Sequence, residues 1–120
     1  MPHVFIEHSS NLAQFFKDEV LVAELHTAMC KCETVTPAAV KTRTYSSDHF
    51  RVGTSEKKRG FIHVTVSILE GRTPEVKKQM GERLLATLTG YAEKFILPKL
   101  PTSISLELRD MAKAGYYKND

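Results

Sequence analysis

The sequence predicts an α/β fold (α+β in some schemes): two fused β-α-β units, a four-stranded sheet and two long helices on one face. Three observations predict it. Strand-like alternation flanks each of two helix-like stretches, so the order reads β-α-β, connector, β-α-β. Apolar residues fall on even positions through the strand runs: Val4, Ile6, Val40, Ile62, Val64, Val66, Ile68, Ile104, Leu106 and Leu108. That period of two marks one buried sheet face. The length, 120 residues, suits one domain over 1–120 with pseudo-repeat halves at about 2–46 and 61–109.

The first strand is expected from Pro2 to His8. Ser9, Ser10 and Asn11 offer helix caps. Leu12, Phe15, Phe16, Val22, Leu25, Ala28 and Met29 then follow in steps of three and four, with one six-residue gap, toward a helix end near Cys32. Pro37 closes the linker, and Ala39 to Tyr45 reads as the second strand. Ser46 to Lys58 is polar and reads as a loop. The third strand runs from Phe61 to Leu69, and Glu70-Gly71-Arg72 turns the chain. Thr73-Pro74 is a helix start, with threonine as cap and proline in the first helical position. Val76, Met80, Leu84, Leu88, Tyr91 and Phe95 form one stripe, which Pro98 and Pro101 end. Ser103 to Arg109 is the fourth strand, and a polar tail follows. Each helix is expected to exceed 20 residues, ~30 Å. A crossover helix makes the two strands of each unit parallel.

Composition narrows the function. Six glycines and five prolines exclude a collagen-like or Pro/Gly-rich disordered chain. No apolar run approaches the ~20 residues of a membrane span, and the N-terminus does not read as a signal peptide. Cys30 and Cys32 are too close for a useful structural disulfide, so a reducing, cytoplasmic setting is expected. The net charge of +3 is mildly basic and compatible with an anionic ligand.

Two helices cover one sheet face only. The other carries the odd positions, among them His3, Phe5, Glu7, Lys41, Arg43, Phe61, His63, Ser105, Glu107 and Arg109. This mixed, locally basic face needs other cover or meets a ligand. Pro2 opens it. Proline after the initiator methionine is small enough for Met1 removal to be expected, which would expose a secondary amine. An α-amine has a reference pKa of about 7.7–8.0. Burial and nearby cations disfavour its charged form, so a neutral proline nitrogen could act as a general base; a chance Met-Pro start is the commoner explanation of the dipeptide alone. Lys41 and Arg43 lie two apart on one strand face, and Arg72 stands at the turn after the third strand. Arginine suits carboxylates because its planar fork meets both oxygens, although a solvated basic rim is the commoner fate of such residues. His3, His8, His26, His49 and His63 show no zinc spacing, and Cys30-Lys31-Cys32 has no second pair, so no metal is expected. His3 and His63 share the odd face. The stretch Lys57-Lys58-Arg59-Gly60-Phe61-Ile62-His63-Val64 is similar to an RNA-recognition signature, with Phe5, Phe61 and His63 placed to stack bases. Ile62, His63 and the long helices depart from it. A single-stranded RNA-binding module therefore stands as the alternative, while a nucleic-acid partner is not the main expectation.

Met1-Pro2-His3 with Glu7, Phe61-Ile62-His63-Val64-Thr65, and Gly71-Arg72-Thr73, at these distances, resemble the 5-carboxymethyl-2-hydroxymuconate isomerase family of the tautomerase superfamily. The resemblance covers essentially the whole chain. It implies two β-α-β units about a pseudo-twofold axis, a homotrimer that covers the second sheet face, and enol–keto tautomerase activity on a small carboxylated enol or dienol. It implies Pro2 as catalytic base, Arg72, Lys41 and Arg43 as substrate-binding residues, and no metal or organic cofactor. The family pattern has arginine at position 41; Lys41 keeps the charge and loses the fork. The Ser46 to Lys58 loop also differs from the family's aromatic-rich one. A catalytically silent trimer on this scaffold is a further alternative.

Overall fold

The computed structural model describes residues 1–54 and 58–120. Its elements are strand β1 (His3–Ser9), helix α1 (Asp18–Cys30), strands β2 (Lys41–Ser47) and β3 (Gly60–Leu69), helix α2 (Pro74–Phe95) and strand β4 (Thr102–Met111). Short 3-10 turns occupy Ser10–Leu12, Pro37–Ala39 and Lys113–Gly115. The sheet order is β2-β1-β3-β4. β1 runs parallel to β2, β3 parallel to β4, and β1 antiparallel to β3. The sheet is therefore mixed, with one parallel pair from each β-α-β unit.

Alternation sets the layers. In β3 every even residue from Gly60 to Ile68 is buried and every odd one half-buried. Val4 and Ile6 join Ile62, Val64, Val66 and Ile68 in one core with Leu21, Leu25 and Met29 of α1 and Met80, Leu84 and Leu88 of α2. The helices thus share the even face, as the parity of the strands requires. β4 is an edge strand, and its even residues Ile104, Leu106 and Leu108 are only partly buried against that core. Thr73 caps α2 as expected, its hydroxyl accepting from the Val76 amide at 3.2 Å, with Pro74 in the first turn.

The first helix corrects the expectation. It has 13 residues, not more than 20, and spans ~20 Å. The chain makes tight turns from Ser10 to Phe15 instead, with Ala13 N donating to Ser10 O and Phe15 N to Leu12 O. The break falls in the six-residue gap between Phe16 and Val22. Phe16 is buried, but its ring meets His8 at 5.2 Å and Tyr91 at 6.1 Å, so it plugs the sheet end rather than lining a helix. The candidate cap residues serve elsewhere: Ser9 Oγ accepts from Phe61 N, and Asn11 donates to Arg59 O. Asp18 opens α1 with an acidic first turn, favourable at a helix N-terminus, and its carboxylate meets buried His8 Nε2 at 2.7 Å. β2 starts at Lys41 rather than Ala39 because Pro37–Ala39 closes a 3-10 turn.

Gly60 sits where the two units meet. A Cβ there would lie 2.6 Å from Leu12 Cδ2, 2.9 Å from Leu12 Cγ and 3.0 Å from Ser9 Oγ. Overpacking of this kind costs about 1–3 kcal/mol. Gly60→Ala is expected to lower stability by that much in urea unfolding. Leu12→Ala in the same chain should recover part of the added loss, since neighbouring sites couple. Strictly additive losses would show that Leu12 is not the obstacle.

Candidate active site

The antiparallel register of β1 and β3 brings the start of β1 beside the end of β3, with His3 opposite Ser67. The parallel register of β1 and β2 puts Lys41 opposite His3 and Arg43 opposite Phe5. Pro2, Lys41 and Arg72 therefore share one end of the sheet, and Arg43 stands two residues further along β2. Pro2 is buried. Its carbonyl accepts from Lys41 N at 3.1 Å, which ties it to the head of β2. Its nitrogen is in amide linkage to Met1, so the terminal amine is Met1's. Burial first, then the charges of Arg72, Lys118 and Lys41, hold that amine below its ordinary value of 8.0. The same end of the sheet thus disfavours an ammonium, as the removal of a charge from water beside other cations must.

Arg72 is anchored rather than free. Its Nε donates to Thr34 Oγ1 at 2.9 Å, one terminal nitrogen to Leu69 O at 3.2 Å, and the other to Thr34 O at 3.1 Å. Guanidinium has five N–H donors, so two remain for a ligand. Thr34 itself has φ +70°, a left-handed conformation that a β-branched residue rarely adopts. Gly71, at φ +118°, gives the turn that delivers Arg72 from β3.

Arg43 is also held. Its guanidinium carbon lies 4.4 Å from the Phe5 ring centroid, and one terminal nitrogen donates to His3 Nδ1 at 2.8 Å. His3 Nε2 lies 2.9 Å from the Tyr116 hydroxyl. Burial first, then Arg43, Lys41 and the terminal amine, keep His3 below the usual histidine range. Lys41 is exposed, with Nζ donating to Ala39 O at 3.3 Å.

His3 and His63 do not meet. His63 turns to Ser105 Oγ at 2.6 Å, while His3 serves Arg43 and Tyr116. The rings that could have stacked bases are engaged as well: Phe5 lies under Arg43, and Phe61 packs edge-on to Phe50 at 6.2 Å. Lys57 of the RNA-like signature, and the part of the expected loop at 55–57, lie outside the described residues. Ser46 and Ser47, expected in that loop, extend β2 instead, and the remaining described loop residues follow it at the sheet end opposite Pro2. Sequence reasoning missed Thr34, Tyr116 and Lys118. The left-handed threonine has no signature in the chain, and the tail residues lie outside any periodic element.

Among the described residues, two surface cavities open. One of about 560 Å³ is lined by Cys32, Met80 and Arg83. The other, of about 740 Å³, is lined by Asn11, Phe50, Arg51 and Arg59. Neither is lined by Pro2, Lys41, Arg43 or Arg72. No group of three or more His, Cys, Asp and Glu poised to hold a metal occurs among the described residues. Among them, no helix is long and apolar enough to cross a membrane.

The sequence model of a family described as 5-carboxymethyl-2-hydroxymuconate isomerase matches residues 2–120. Among solved structures, a 5-carboxymethyl-2-hydroxymuconate isomerase from Deinococcus radiodurans R1 is similar, with TM-score 0.89 and 24% identity over 99% of this chain and 89% of that one. A 5-carboxymethyl-2-hydroxymuconate delta-isomerase superposes with TM-score 0.89 and 16% identity over 100% of this chain and 87% of that one. A fused 4-OT wild-type symmetric trimer gives TM-score 0.71 and 16% identity, covering 98% and 92%. At these identities the structures show a shared fold. No curated protein sequence matches.

Proposed function

This chain belongs to the 5-carboxymethyl-2-hydroxymuconate isomerase family, and from that premise we propose that it is an enol–keto tautomerase with Pro2 as its base. Pro2 opens β1 as a buried residue, at the sheet end where Arg72 and Lys41 already act on the terminal amine. That single observation carries the reading. With Met1 removed, the proline nitrogen becomes a secondary amine subject to the same burial and the same cations. Both disfavour its charged form, which favours the neutral amine that accepts a proton.

The substrate class follows from the cations. A carboxylated 2-hydroxy-dienoate gives its hydroxyl proton to Pro2. The O–H electron pair forms the 2-oxo double bond, the double bonds shift by one position, and the distal carbon takes the proton back from the prolinium. The product is the conjugated 2-oxo isomer, and atoms and charge balance without a redox partner. The two unused N–H donors of Arg72 hold a carboxylate or the 2-oxygen, where negative charge develops. Arg43, stacked on Phe5, and Lys41 bind the other carboxylate. Lys41 offers a point charge in place of a fork, so it tolerates a broader range of acid geometries.

The protein works as a homotrimer in this reading, in the cytoplasm. The symmetric trimer among the similar folds supports the assembly, as does the odd sheet face that one chain leaves open. The test is a panel of enol acids, 2-hydroxymuconate and the enol of phenylpyruvate among them, followed by ultraviolet absorbance on protein whose oligomeric mass is known. Turnover of dienol dicarboxylates by a trimer is expected. A trimer that turns over no member of the panel would identify a silent scaffold.

A further inference from the structure

The odd face is open except at one corner, which the C-terminal segment covers. Two contacts pin that segment. The Glu70 carboxylate accepts from Lys113 N at 2.6 Å, at the turn between β3 and α2. Tyr116, half-buried, reaches across to His3, while the next residue, Tyr117, is 87% exposed.

The hydrogen-bond directions around His3 are fixed by chemistry. Guanidinium only donates, so Nδ1 of His3, facing Arg43 at 2.8 Å, must be the bare acceptor. Neutral His3 then carries its proton on Nε2 and donates it to the Tyr116 oxygen at 2.9 Å. Without the hydroxyl at Nε2 the ring loses one of its two anchors and can turn, which loosens the Nδ1 acceptor that receives Arg43.

We propose that Tyr116 is a positioning residue: it accepts from His3 Nε2, holds the ring whose Nδ1 receives Arg43, and so fixes the guanidinium over Phe5 for a substrate carboxylate. The inference rests on the reading of Arg43 as a carboxylate holder, and its test separates the two. Tyr116→Phe removes the hydroxyl and keeps the ring, which sits edge-on to His3 at 6.0 Å. With 2-hydroxymuconate as substrate, it is expected to raise KM about 3- to 10-fold, the range of one lost hydrogen bond, with kcat within about 2-fold. Arg43→Ala should raise KM further, and the double variant should match Arg43→Ala, since Tyr116 acts through it. ¹⁵N–¹H spectra of the Arg43 guanidinium read its positioning without any turnover: distinct, slowly rotating Nη–H groups in the parent, averaged ones in Tyr116→Phe and in a chain ended after Gly115.

An equally ordered Arg43 guanidinium in both variants overturns the proposal, whatever the kinetics. A KM raised by Arg43→Ala and untouched by Tyr116→Phe overturns it too, and leaves the reading of Arg43 standing. A loosened guanidinium with no effect of Arg43→Ala on KM overturns the reading of Arg43, and with it the link from Tyr116 to substrate.

Discussion

Pro2→Ala, in protein that begins at residue 2, is expected to lower kcat/KM for a dienol substrate about 10²- to 10⁴-fold, the usual contribution of a positioned acid–base group. The loss should fall mainly on kcat, because the proline nitrogen makes and breaks its bond to the proton during the reaction. Alanine keeps an amine at the terminus, so charge alone does not rescue it. It loses the ring that fixes the nitrogen at the head of β1. The sign of the pH dependence follows from the surroundings. Burial, and then Arg72, Lys118 and Lys41, hold the Met1 amine at this end of the sheet below its ordinary value, and the same causes favour a neutral proline amine. kcat/KM of the parent should therefore rise with pH through an inflection below that of an unperturbed proline amine and then level off. Unaltered turnover in Pro2→Ala would remove proline from the mechanism.

Arg72→Ala is expected to lower kcat/KM about 10²- to 10³-fold, as the loss of a group that stabilises a developing oxyanion does. It should also move the acid inflection upward, since Arg72 is the foremost cation acting on the terminal amine. A role confined to packing would leave that inflection in place. A structural cost accompanies the change. Arg72 supplies donors to the Thr34 hydroxyl and carbonyl and to Leu69 O. Thr34 stores strain of about 1–3 kcal/mol in its left-handed conformation, which these bonds offset. Loosening of the Thr34 segment in hydrogen exchange should accompany the kinetic loss. Arg72→Lys keeps the positive charge but cannot reproduce the three-point anchor. It is expected to restore the inflection more fully than the rate.

Much of the fold was legible because strands and helices announce themselves by period. The even residues from Ile62 to Ile68 did so in β3, and Thr73-Pro74 with the stripe from Met80 to Leu88 did so in α2. The start of the first helix was not legible. Phe15 and Phe16 keep helical spacing with Leu12, yet Phe16 is buried against His8 and Tyr91, beyond the reach of a local pattern. Of the site, Lys41 and Arg43 could be placed on one face by parity, and Arg72 at a turn by Gly71. The role proposed for Pro2 was legible only through its company with His3, Glu7 and the Gly-Arg turn. The residues that hold these groups were hidden. Thr34 accepts from an arginine 38 positions away, and Tyr116 lies 113 positions from His3. Such pairings depend on the sheet order, which brings the start of β1 between the heads of β2 and the end of β3.

The central claim is that a free proline amine does the chemistry. The most direct measurement compares two tag-free samples by the ultraviolet absorbance of 2-hydroxymuconate ketonisation, one shown by mass spectrometry to begin at Pro2 and one retaining Met1. In the second sample the nitrogen of Pro2 is an amide and cannot accept the proton. Turnover in the first alone is the predicted result; equal turnover in both would contradict the account.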